Sequence, residues 1–305
     1  MTKIRSTDGS HIDDRRGSGG GGGRSGGSGG FPFQLPGTGG GLGGGGLGNL
    51  GKGGGILGII VLLAAVLLPK LLGAGGTSQA ADVGSGSSGE PGRCVTELEQ
   101  IVCGVTNDVQ IYWADALPKY FNVSYEVTDT VWFTGGVDTG CGQASSETGP
   151  FYCPADHLVY IDLEFMQQLE EMLIGKPTDL AEQYILAHEY GHHVQNLLGD
   201  NARVQQAQQN DPGRANEYSV ALELQADCYA GVWVGARDVL DSPGELDEAI
   251  AAAEGVGDDR IQQRTQGRVD PESWTHGSAE QRKSWFLKGY NSADPRQCDT
   301  FAEIS

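Results

Sequence analysis

The chain has 305 residues, with 40 Asp and Glu against 20 Lys and Arg, a formal net charge of −20. Such acidity repels a phosphate backbone, so nucleic acid is excluded as an expected partner. Glycine is abundant, at 50 residues, and where it clusters the chain has too little to bury for a core.

Glycine dominates from Gly17 to Gly55, with scattered Ser, Pro and Leu. Residues 1–55 are therefore expected to form a disordered, Gly-rich, cytoplasmic leader. A phosphate-cradling loop is excluded, because no Gly-Lys-Ser/Thr element follows. The leader carries six Lys/Arg and three Asp/Glu, a net +3, which leaves −23 for the remainder. Residues 56–76 follow, with an uninterrupted apolar run from Ile56 to Leu68. They are expected to cross a membrane once, with Lys70 able to snorkel to the interface. Positive charge before the segment places the N-terminus in the cytoplasm and the rest outside. The alternative is secretion after cleavage near Ala80, at a small–x–small site. Residues 77–92 are a polar Gly/Ser linker. Residues 93–305 form the folded domain, roughly 210 residues and enough for one core.

All six cysteines lie in that domain: Cys94, Cys103, Cys141, Cys153, Cys228 and Cys298. An even number beyond a membrane segment predicts disulfides, in any of fifteen pairings. Proximity favours Cys94 with Cys103 and Cys141 with Cys153, which leaves Cys228 to pin the tail at Cys298. Cys94 to Phe121 has helical character and Val123 to Thr134 strand character. Gly135 to Pro150 is expected to be a loop held by the Cys141–Cys153 bridge. Leu158 to Ile161 is a predicted strand leading into a helix from Leu163 to Ile174.

The stretch Asp179 to Leu198 is a predicted helix holding His188-Glu189-Tyr190-Gly191-His192. Positions i and i+4 share a helix face, so His188 and His192 can grip one metal ion. Glu189 projects beside them, placed to take a proton from water. That is the pattern of a zinc peptidase. Gly191 lowers helix propensity by about 1 kcal/mol, which predicts a close neighbour there. His193 points about 100° away from His192, so it is expected to support or pack rather than to ligate. His157, at a strand start, is expected to be a surface residue.

A catalytic zinc takes three protein ligands and keeps one position open. The third is predicted on a helix from about Arg214 to Arg237, after a polar, Gln-rich stretch from Asn201 to Asn210 and an Asp211-Pro-Gly turn. Glu223 and Asp227 share a face there among apolar residues, and buried acids need partners. Glu223 is assigned as the third ligand, and Asp227 as the acceptor for a ligand imidazole N–H. Short helices follow at Gly244 to Glu254 and Asp258 to Gln266. A capping box, Ser278-Ala-Glu-Gln281, starts a helix from Ala279 to Lys288. His276, just before it, is a candidate to hold an oxyanion; a loop His beside a Gly also serves purely structural ends.

The stretches HEYGHHVQ, ELQADCYAGVW and THG…QR…WF…GY…CDTF resemble the bacterial neutral zinc metallopeptidase family over roughly residues 92 to 302. Their order is also similar to the gluzincin arrangement of heat-shock and CAAX-processing proteases. The resemblance implies an α+β, predominantly helical, zincin-like domain, with one Zn2+ per chain bound by His188, His192 and Glu223. It does not supply a substrate; the apolar segment and the HExxH pattern add the expectation of a membrane-anchored endopeptidase with Glu189 as general base, acting on peptide or unfolded protein. It also gives Tyr152 to Asp162 the role of a cleft-bordering strand. The competing expectation is a non-catalytic, zinc-stabilised envelope scaffold.

Overall fold

A computed structural model describes residues 4–17 and 90–304, apart from 238, 241 and 243. The expected membrane segment at 56–76 and the linker at 77–89 lie outside the described residues. Among the described residues no helix is long and apolar enough to cross a membrane.

The architecture is α+β and mostly helical, as expected. Eight helices, among the described residues, are α1 (Glu97–Phe121), α2 (Leu163–Ile174), α3 (Asp179–Leu198), α4 (Asp200–Asn210), α5 (Ala215–Arg237), α6 (Glu245–Gly255), α7 (Asp258–Gln266) and α8 (Ala279–Ser292). The strands are β1 (Ile12–Asp14), β2 (Glu90–Pro91), β3 (Thr130–Trp132), β4 (Gly136–Thr139), β5 (Gly142–Ser145), β6 (Phe151–Cys153) and β7 (Leu158–Ile161). Five of them form a sheet in the order β2-β1-β3-β7-β6, while β4 and β5 form a separate hairpin. The predicted loop at 135–150 is thus largely paired backbone. The predicted Gln-rich stretch is helix α4, because Gln, Ala and Arg are good helix formers and Val204 buries one face.

Within the leader expected at residues 1–55, the described residues 4–17 are folded rather than disordered, and the rest of it lies outside the described residues. Strand β1 lies parallel to β3 and antiparallel to β2, with Ile12 buried. Arg5 reaches Glu97 in the first turn of α1 and Asp179 in the first turn of α3, and Arg16 pairs with Glu99. The physical reason is local composition: residues 4–16 are not Gly-rich, and they carry an apolar anchor between charges that find partners. The pairing of β1 with β3 packs this segment against the helical body.

The core is built on α1, α3, α5 and α8. Trp113, Tyr184, Tyr190, Trp233 and Phe286 are fully buried there. Helices α5 and α8 approach to backbone contact. A Cβ on Gly289 would lie 2.0 Å from the Cys228 carbonyl oxygen, and one on Gly231 2.0 Å from that of Phe286. The disulfides are Cys94–Cys103, Cys141–Cys153 and Cys228–Cys298, the pairing that proximity favoured.

Candidate metal centre

Helix α3 starts at an N-cap Thr178, whose hydroxyl accepts from Ala181 N, and stops at Gly199 in the left-handed conformation with φ 82°. Between these caps the His188 and His192 rings stack edge to face, with centroids 4.7 Å apart. Helix α5 crosses against α3 at Gly191, where a Cβ would lie 3.0 Å from the Ala226 carbonyl oxygen. This is the close neighbour predicted for that glycine. The approach brings Glu223 onto both imidazoles. Its Oε2 lies 3.2 Å from His188 Nε2 and its Oε1 3.5 Å from His192 Nε2. Donor atoms of the three side chains all fall within 4.8 Å of one another.

The other ring nitrogens are already engaged. His188 Nδ1 donates to Asp227 Oδ1 at 2.9 Å, and His192 Nδ1 donates to Gln195 Oε1 at 2.8 Å. Both Nε2 atoms are therefore left to face Glu223, which is the disposition zinc requires of two imidazoles and a carboxylate. Burial works against charge on His188, yet Asp227 and Glu223 push its pKa up to about 10. Two buried carboxylates meeting one ring call for positive charge at this point. Burial also raises Glu223, but His192 and His188 outweigh it and hold the carboxyl well below its usual range. The residues fit a zinc ion.

Glu189 is buried and lines the same cleft, and burial raises its carboxyl above the ordinary value. The cleft encloses about 1100 Å³, counting its open mouth. Strand β6 is the end of the sheet on this side, and Phe151 and Tyr152 border the cleft. The cleft-bordering role expected of Tyr152 to Asp162 thus narrows to β6, since β7 is interior. His276 also lines the cleft, with its Nδ1 3.1 Å from Asp258 Oδ1. His193 faces the opposite way. It is fully buried, donating from Nε2 to the Glu126 carbonyl and accepting at Nδ1 from the Tyr152 hydroxyl. Its ring packs β6 onto α3, against Tyr125 and Tyr152. His157 is exposed, as expected, in a left-handed turn with φ 64°.

Two residues with no predicted role complete the site. Gln195 orients His192 and donates to the Leu222 carbonyl and to Gln225 Oε1 on α5. Its signal was spacing, three residues after a ligand on the same helical face. Arg282 on α8 is buried and donates to both oxygens of Asp227, at 2.7 and 2.8 Å. Its signal was a lone Arg just ahead of buried Trp285 and Phe286. Asp227, raised by burial, is held below its usual range by Arg282 and His188.

No solved structure matches this chain. Among curated proteins, "Uncharacterized protein YpfJ" of Escherichia coli K12 is 42% identical over 300 residues, 96% of each chain. "Uncharacterized protein Rv2575" of Mycobacterium tuberculosis H37Rv is 47% identical over 213 residues, covering 66% of this chain and 70% of its own. The family described as "Putative neutral zinc metallopeptidase" matches residues 1–301, which takes in the β1 segment as well as the helical body. With that match over nearly the whole chain, this protein belongs to the neutral zinc metallopeptidase family.

Proposed function

We propose that this protein is a zinc-dependent endopeptidase that cleaves extended peptide or unfolded-protein chains. The observation that carries this reading is the convergence of both imidazole Nε2 atoms on Glu223, with Glu189 buried beside them in one cleft. His188, His192 and Glu223 would hold one zinc ion per chain. When bound, zinc supplies Lewis acidity that polarises a carbonyl and acidifies water. Asp227 and Gln195 fix the imidazole tautomers that leave Nε2 for the ion.

Glu189 is the general base in this scheme. It takes a proton from the attacking water and delivers it to the departing amine nitrogen. His276, steadied at Nδ1 by Asp258, would donate from Nε2 to the substrate oxygen as negative charge develops there. The free edge of β6 would align the substrate through main-chain hydrogen bonds.

The test is digestion of a mixed-peptide substrate by the full chain with its disulfides formed, beside the Glu189→Gln variant at matched zinc content. Turnover by the parent alone supports a peptidase with Glu189 as base. Zinc in both proteins and turnover in neither points to a non-catalytic scaffold.

A further inference from the structure

One wall of the cleft carries an acid that the mechanism does not use. Glu170 on α2 lines the cleft and is 2% exposed. Its Oε2 accepts from the Thr178 backbone N–H at 3.1 Å. Its Oε1 is buried with no hydrogen-bond partner. No cation pairs with it among the described residues; the charged side chain that acts on it is another buried acid, Glu182. Burial first, and Glu182 second, push its pKa up to about 8.

The surrounding wall is aliphatic, from Leu169, Ile174, Ile185, Ala252 and Val256. Purely apolar lining would suit a Leu or Phe side chain. A buried carboxyl set among it, short of one partner, gives up its proton to solvent when a cation docks against it, and so suits an aliphatic stem that ends in a cation. The other acids bordering the cleft are committed, Glu189 beside the ligands and Glu223 to His188 and His192. The cleft's Arg282 is bound to Asp227, so among the described residues no cation is paired with Glu170.

We propose that Glu170 is a specificity-determining residue, and that the pocket it closes takes a Lys or Arg side chain flanking the scissile bond. The Glu170 carboxyl turns from the wall toward the cleft to accept from the substrate ammonium or guanidinium, whose methylene stem lies along the aliphatic wall. This rests on the peptidase reading above and narrows its substrate class.

The test is equilibrium binding, so that it does not depend on turnover. Full-chain Glu189→Gln protein, loaded with zinc, is titrated with a Gly/Ser/Ala decapeptide carrying one central Lys. Its twin carries norleucine, which keeps the stem and lacks the ammonium. Such peptides can slide to bring the single long side chain into the pocket. The proposal expects the Lys peptide to bind at least about tenfold more tightly at 0.15 M salt. Adding Glu170→Gln should remove that preference while leaving norleucine binding unchanged. Gln keeps the acceptor for Thr178 N–H, and a thermal melt checks folding. Equal or tighter norleucine binding overturns the proposal and leaves the peptidase reading standing. A Lys preference that survives Glu170→Gln also overturns it, assigning the effect to the general negative charge. Binding of neither peptide overturns the proposal together with the peptide-cleft reading.

Discussion

Arg282 and Asp227 form a buried, two-point ion pair between helices α8 and α5, with Nε to Oδ2 at 2.7 Å and Nη2 to Oδ1 at 2.8 Å. The same Oδ1 accepts from His188 Nδ1, and the Tyr184 hydroxyl also donates to it. The metal centre is thus anchored three layers deep, from ligand to acid to arginine.

Arg282→Ala leaves Asp227 charged, buried and unpaired. Breaking such a pair costs about 3–5 kcal/mol, and losing an outer partner of a ligand lowers metal affinity by about 10–100-fold. Arg282→Lys keeps the charge but loses the fork, so it should recover stability better than zinc affinity. Thermal unfolding of the metal-free protein and zinc titration against a chelator separate the two effects. Parent-level zinc affinity in both variants would show that Arg282 does not act through His188.

His276→Ala should lower kcat by about 10²–10³-fold, with zinc content and fold unchanged. Asp258→Asn should fall between parent and His276→Ala, because the ring stays but loses its carboxylate partner. A peptide assay at equal zinc content checks both. A His276→Ala enzyme with parental kcat would leave the residue a purely structural role.

The α5–α8 contact admits no side chain at its closest points. Gly289→Ala should destabilise the protein by about 3 kcal/mol, since its Cβ would meet the Cys228 carbonyl at 2.0 Å. Helix propensity alone predicts the opposite, a gain of about 1 kcal/mol. Urea unfolding gives the sign directly. The shift should also weaken zinc binding, because α5 carries Glu223 and α8 carries Arg282.

The Cys228–Cys298 disulfide closes the longest loop, with a separation of 70 residues against 12 for Cys141–Cys153. Loop-closure entropy gives about 4 kcal/mol for the first and about 3 kcal/mol for the second. Paired Cys→Ser variants, compared by thermal unfolding, should rank in that order.

Glu170 and Glu182 set a pH dependence. Their pKa values are pushed up to about 8 and about 7, Glu170 by burial and Glu182, and Glu182 by burial and Asp179. The native chain therefore holds both protons at pH values where the unfolded chain, titrating near 4.5, has released them. The stability this contributes is complete below pH 4.5 and is lost as pH rises through about 7 and then about 8. Melting temperature should fall across that window, and the Glu170→Gln/Glu182→Gln double variant should flatten the decline. An unchanged slope in the double variant would assign the decline to other groups.

The sequence by itself determined what depends on near neighbours. The i, i+4 geometry of a helix put His188 and His192 on one face, and Glu223 and Asp227 on another. Caps at Gly199 and Ser278 and the short loops behind two of the disulfides are equally local. These are legible because helical periodicity converts spacing into direction without reference to the rest of the chain. Only the tertiary structure decided the partnerships that cross between elements. Arg282 lies 55 residues from Asp227, and no periodicity links them; the α5–α8 glycine contact does. Segment 4–17 reads as a polar tail until β3 and the acids Glu97, Glu99 and Asp179 supply its pairing partners. Glu170 is an ordinary helix acid in the sequence. The packing of α2 on the cleft wall makes it a buried one, and burial gives a carboxyl with no cation beside it chemical significance.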